Sequence, residues 1–250
     1  VMLTPQRPLT VVVGGAKISD KIEILNKFIE IADCVAVVGA LANTFLLAEG
    51  HEVGDSLAEP DDVPLAKEIM AKAHEKACST QFSFIVPRDV VVAADMKPEA
   101  PTRIVDLSHN HWADITSYPK KPEPAAFIVG EHEKILDIGP FSASYIAGIA
   151  HLSKTVIWNG TCGVTEIKGL GGAEDPFAHG TKIIVDSFVG HNQEQNHPFV
   201  VVGGGDTVSF VESQEGLRER LGHVSTGGGA SLELMAGKEL PGVAVLWDKE

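Results

Sequence analysis

Lys17 and Lys21 follow the turn Gly14-Gly15-Ala16, and Asp206-Thr207 follow Gly203-Gly204-Gly205. Side chains of these types beside glycine turns suit the handling of a polyphosphate. Glycine lets the backbone approach a ligand closely, and the free N–H groups of a following helix attract an anion. A third run, Gly227-Gly228-Gly229, offers backbone donors of the same kind. Lys17 and Lys21 lie four apart where a helix is predicted to begin, so they are expected to share a face. Cations there oppose the helix dipole at a cost of about 0.3–1 kcal/mol each, which a bound polyphosphate would reverse; a pair of solvated lysines is the plain alternative. Asp206 opens a helix, where a carboxylate serves equally as a cap or, beside phosphates, as a ligand for Mg²⁺. Asn159 either caps a turn or reaches a phosphate, and spacing does not choose. No glycine run carries the P-loop or dinucleotide fingerprint, so the phosphates must be cradled in another way.

The elements that would position these residues are legible as short β-branched runs, each followed by a turn and an amphipathic stretch. Leu9–Val13, Cys34–Val38, Phe84–Pro87, Val90–Ala93, Thr155–Trp158 and Phe199–Val202 read as strands. The stretch after Lys17 with apolar Ile22, Leu25, Phe28, Ile29 and Ala32, together with Leu41–Ala48 and Pro64–Ala77, reads as helical. Strands apolar on both faces that alternate with helices predict one doubly wound, mostly parallel α/β domain with helices on both faces. Ligands of such sheets sit beyond the carboxyl ends of the strands, where the glycine turns fall. Lys97 to Lys134, rich in Pro and His, breaks the rhythm and reads as a surface excursion with an antiparallel hairpin.

The 250 residues carry a net charge of −14 without a Lys/Arg cluster, which argues against nucleic acid and anionic membranes as partners. No apolar stretch reaches membrane-spanning length; Ile31 to Ala48 is interrupted by Asp33, Asn43 and Thr44. Val1 to Pro8 lacks the features of a signal peptide and reads as the end of a linker. Cys34, Cys78 and Cys162 suit free thiols in a reducing cytoplasm. His109 and His111 flank Asn110, but no third ligand accompanies them and they read as solvated.

Taken in order, Gly14-Gly15-Ala16-Lys17-Ile18-Ser19-Asp20-Lys21, Trp158-Asn159-Gly160, Gly203-Gly204-Gly205-Asp206-Thr207 and Ser225-Thr226-Gly227-Gly228-Gly229-Ala230 resemble phosphoglycerate kinase over nearly the whole chain. The resemblance implies the C-terminal, nucleotide-binding domain across residues 1–250, with a Rossmann-like sheet that binds Mg-ADP or Mg-ATP. The separate N-terminal domain that holds 1,3-bisphosphoglycerate or 3-phosphoglycerate is expected to be absent, which would leave the chain inactive alone. By the same resemblance Lys17, Lys21 and Asn159 lie at the phosphates, Glu166 binds the ribose, Asp206 holds Mg²⁺ and Thr207 binds a phosphate. Lys21 and Gly227, Gly228 and Gly229 act on the transferring group. Gly14, Gly15, Ala16, Gly39, Ile135, Leu136, Gly204 and Gly205 complete the nucleotide site.

Departures from the family pattern gather around the adenine. Val38-Gly39-Ala40 stands where the family usually has three glycines, Ile135 replaces a glycine, Thr161 a proline and Thr165 a phenylalanine. A non-catalytic nucleotide- or phosphate-binding module with an altered base pocket is therefore the rival reading.

Overall fold

The computed structural model describes residues 5–108, 127–189, 197–225 and 227. Its first half contains β1 (Leu9–Val13), α1 (Ile22–Ile31), β2 (Cys34–Val37), α2 (Gly39–Glu49), α3 (Val63–Ser79), β3 (Ser83–Ile85), β4 (Asp89–Ala93) and β5 (Arg103–Asp106). There follow β6 (Lys134–Ile138), α4 (Pro140–His151), β7 (Thr155–Asn159), α5 (His179–Val189), β8 (Phe199–Gly203), α6 (Gly205–Ser213) and β9 (His223–Val224).

All five residues of β1 are buried, so the strand must be covered on both faces. Side-chain alternation divides the coverage. Leu9, Val11 and Val13 join Val35 and Val37 of β2 in a core with α1, α2 and α3. Val12 joins Cys34 and Ala36 in a second core with α4, α5 and α6. Fully buried Phe28 and Phe45 anchor the first and Phe188 the second, each contributing about 1.5–3 kcal/mol by leaving water. The strand order is β3-β2-β1-β7-β8-β9, with every neighbouring pair parallel. This is the doubly wound α/β domain expected.

Val90–Ala93 departs from that expectation. As β4 it pairs antiparallel with β5 and β6 in a separate three-stranded sheet. Val90, Val92 and Ala93 are buried as a parallel strand's residues would be, with α4 packed against the strand; an apolar run reports burial and not the direction of a partner. Of the 97–134 excursion, Arg103–Asp106 is an edge strand of this sheet, and residues 109–126, including His109 and His111, lie outside the described residues.

Two strand-borne carboxylates cap the helices of the second face. Asp89 accepts the N–H of Phe141 at 3.0 Å and of Ser142 at 2.8 Å, at the start of α4. Asp137 accepts the N–H of Gly180 at 2.9 Å, in the first turn of α5. Each satisfies helix donors that have no partner within the helix.

Candidate nucleotide site

Beyond β1 the chain moves to β2 and β3 on one side, and beyond β7 to β8 and β9 on the other. The crevice between the carboxyl ends of β1 and β7 is therefore the switch point at which doubly wound sheets take ligands. Trp158 shapes it from below. Its indole is fully buried, edge-on to Phe188 and Phe210 at ring distances of 5.5 and 6.2 Å, and its Nε1–H donates to the Gly160 carbonyl at 2.8 Å. Gly160 then abuts Gly14. At φ +110° it takes a conformation that favours glycine, and a Cβ on it would stand 2.7 Å from the Gly14 nitrogen. A Cβ on Gly14 would in turn stand 2.8 Å from the Thr161 carbonyl oxygen. Two backbones this close leave no room for side chains, so the floor of the crevice is peptide.

Lys21 leans over this floor. Its Nζ donates to Asn159 Oδ1 at 2.8 Å, and Asn159 is almost fully buried. Burial lowers the Lys21 pKa, and the carboxylates of Asp20 and Asp206 offset only part of that. The amide Nδ2 of Asn159 is buried with no hydrogen-bond partner, beside Gly204, whose added Cβ would lie 2.8 Å from it. An orphaned donor costs about 1–3 kcal/mol. A phosphate oxygen in this crevice would satisfy it. Asp206, exposed in the first turn of α6, faces the same cavity.

Some expected residues stand elsewhere. The helix begins at Ile22, so Lys17 is outside it, and Lys17 and Lys21 share no helix face. The cause lies at Ile18, whose side chain is drawn fully into the core while its N–H goes to Glu59. Lys17 is exposed and Lys21 sits at the N-cap of α1. Thr207, expected at a phosphate, is fully buried, and its Oγ1 accepts the Gly160 N–H at 2.7 Å. In this arrangement it holds Gly160 against Gly14. Gly205 is exposed at the start of α6 and Gly227 is exposed beyond β9; Gly228 and Gly229 lie outside the described residues.

From this crevice a cavity of about 590 Å³ runs between α2 and β6. Gly15, Ala16, Gly39, Leu136 and Glu166 line it, and so do three of the departures, Ala40, Ile135 and Thr161. Thr165 is buried behind the wall. Sequence reasoning did not single out Asn43, Ser56 or Asp137, which also line the cavity. Asp137 could have been noticed from the Gly139-Pro140 helix start that follows it; the other two carry no local signal.

The Phosphoglycerate kinase family model matches residues 1–238. Among curated relatives, phosphoglycerate kinase of Chloroflexus aurantiacus is 43% identical over 246 residues, 98% of this chain and 53% of that protein. That of Moorella thermoacetica is 38% identical over 245 residues, with the same coverage. Among solved structures, phosphoglycerate kinase from Coxiella burnetii superposes with a TM-score of 0.78 at 32% identity, covering 96% of this chain and 53% of that one. The enzyme from Pyrococcus horikoshii OT3 gives 0.70 at 26% identity, covering 96% and 51%. The chain thus spans about half the length of the relatives it matches.

Proposed function

Because this chain belongs to the phosphoglycerate kinase family, we propose that it binds Mg-ADP or Mg-ATP and forms the nucleotide half of a reversible phosphoryl transfer between 1,3-bisphosphoglycerate and ADP. The observation that carries this reading is the junction of Lys21, Asn159 and Gly160. There a desolvated ammonium and an orphaned amide donor stand over a floor of peptide at the switch point of the sheet. Phosphoryl transfer asks a protein mainly to position reactants and neutralise charge, and these groups supply both.

Lys21 would follow the transferring group, its ammonium aimed by Asn159 and kept from bulk water. Lys17, on the exposed side of the loop, would add charge at the outer phosphates. Asp206 fits a magnesium ion: among the described residues no three His, Cys, Asp or Glu side chains cluster, so phosphate oxygens would have to complete the coordination. When bound, Mg²⁺ neutralises phosphate charge. Glu166, exposed at the cavity wall, would meet the ribose hydroxyls, and the turn at Gly227 to Gly229 would present N–H groups to the transferred phosphoryl. Residues 1–250 would serve as the C-terminal domain, and a separate N-terminal domain would bring 3-phosphoglycerate.

One observation favours the rival reading, a phosphate-binding module that has lost catalysis: Ile135 places a branched side chain on the cavity wall where the family has glycine. Calorimetry with Mg-ADP, followed by a coupled assay with the substrate domain of a related phosphoglycerate kinase added in trans, separates the two. The enzyme reading expects Mg-ADP binding, negligible turnover alone and turnover on addition. Mg-ADP binding without turnover in trans would favour the module, and no binding of Mg-ADP or Mg-pyrophosphate would sink both.

A further inference from the structure

Between the two ends of the cavity run residues 53–59, a stretch with neither helix nor strand, tied down along its length. Ser56 Oγ accepts the N–H of Ile135 at 2.8 Å. The Leu57 carbonyl accepts Asn43 Nδ2 at 2.9 Å. The Glu59 N–H donates to Thr44 Oγ1 at 3.0 Å. Finally, Glu59 Oε2 accepts the N–H of Ile18 at 2.6 Å. One end of the strap thus holds the wall at Ile135, its middle rests on α2, and its other end grips the loop between β1 and α1.

That last grip falls between Lys17 and Lys21, on the residue after Lys17. The loop is otherwise fixed at its start, where the Gly14 N–H donates to the Asn159 carbonyl and the Gly15 carbonyl accepts the Leu41 N–H, each at 2.6 Å. At its end the Lys21 N–H turns back onto the Ile18 carbonyl at 2.9 Å. Ile18 is therefore the hub of the second half, held from below by its buried side chain and from outside by Glu59. A carboxylate beside an anion-binding loop, in a chain already at −14, works against the ligand by simple Coulomb repulsion. Its charge is spent instead on a short charge-assisted hydrogen bond to backbone.

We propose that Glu59 is a positioning residue for the nucleotide phosphates: by fixing the backbone at Ile18 it sets where Lys17 and Lys21 stand. The proposal rests on the reading of this crevice as the phosphate site. It makes opposite demands on two substitutions. Glu59→Gln keeps an oxygen that accepts the same N–H and removes the unfavourable charge. Glu59→Ala removes both.

The test measures Mg-ADP and Mg-pyrophosphate affinity, thermal midpoint and hydrogen exchange at the Ile18 amide for the wild type and both variants. Glu59→Ala is expected to weaken both ligands by about tenfold, the scale of one charged hydrogen bond. It should also speed Ile18 exchange while leaving exchange in β1 unchanged. Glu59→Gln is expected to hold or improve affinity and to keep Ile18 protected. Tighter binding in both variants would show that Glu59 acts only through its charge and overturn the proposal. So would unchanged Ile18 exchange in Glu59→Ala, or a fall in affinity matched by a lowered thermal midpoint and faster exchange throughout β1. A wild type that binds neither ligand fails at the phosphate-site reading itself, and takes the proposal with it; normal wild-type binding that Glu59→Ala does not alter overturns the proposal alone.

Discussion

The two ends of the cavity are made of different material. The end proposed to take the phosphates is backbone: Gly14 against Gly160, Gly204 beside Asn159, all at the rim of the parallel sheet. The end proposed to take the base is side chain: Ala40 and Asn43 on α2, Ser56 on the strap, Ile135 on β6. A wall of side chains changes shape with each substitution and still folds. A floor of touching backbones admits almost no change. Of the departures from the family pattern, Ala40 and Ile135 lie on the side-chain wall and Thr165 is buried, while Thr161 lines the cavity and meets the floor through its backbone carbonyl.

The sharpest way to break the contrast is Gly160→Ala. Its Cβ would collide with Gly14 at a φ of +110°, so a loss on the order of 3 kcal/mol or more is expected, with Mg-ADP binding abolished. Urea titration and calorimetry measure both. A variant that keeps wild-type stability and affinity would mean the floor is not as tight as drawn.

Next in size is a pH effect at the opposite end. Burial pushes the Asp137 carboxyl up to about 7, and the N–H groups of Gly180, Ile138 and His179 draw it back only in part. Between the ordinary value of 3.8 and about 7 the folded chain keeps a proton that the unfolded chain has released. This group therefore costs stability progressively as pH rises through that window, on the order of a few kcal/mol. Wild-type urea midpoints at pH 5 and pH 8 are expected to carry this decline and Asp137→Asn to lack it. Equal pH dependence in both proteins would place the titration elsewhere.

Lys21→Ala, joined to a substrate domain, is expected to lower kcat by roughly 10²–10³, the scale of one preorganised charge-stabilising group. The KM for ATP should change much less. Because burial lowers the Lys21 pKa from 10.5, the unfolded chain holds this proton to higher pH than the folded one. Stability linked to Lys21 is thus lowest where the lysine is fully charged and recovers as pH rises toward 10.5. Removing it should raise the thermal midpoint at neutral pH. Wild-type kcat in Lys21→Ala would make this a structural lysine.

The smallest effect is expected at the base wall. Ile135→Gly should fold and improve Mg-ADP affinity by about tenfold, the scale of relieving modest overpacking, with Mg-pyrophosphate unchanged. Unchanged ADP affinity would show that the base never meets Ile135.

The same contrast explains what could be read from sequence. Leu9–Val13 was legible to the residue, since a strand buried on both faces has few disguises. The glycine turns were legible as a place where backbones meet, because close backbone approach demands that residue type. The course of the loop through Lys17 was not. A helix starting near Lys17 agrees with the local pattern apart from the cost of its cations, and what holds the loop otherwise is the burial of Ile18 and Glu59, a partner 41 residues away. The roles of Asn43 and Ser56 were hidden for the same reason: each meets its partner only after the chain has folded back. The antiparallel pairing of Val90–Ala93 escaped because a continuous apolar run is silent on strand direction.

The contact between Gly14 and Gly160 also orders events in time. A ribosome must deliver nearly 150 residues between the two glycines before the floor can close. β1, β2 and β3 can associate early through near-neighbour segments, whereas the seam between β1 and β7 waits for the later part of the chain. Non-local pairings of this kind form slowly. A ligand of this crevice cannot template the early stages of folding, because the crevice does not yet exist; its occupancy would be a certificate, issued last, that the two halves of the sheet have met.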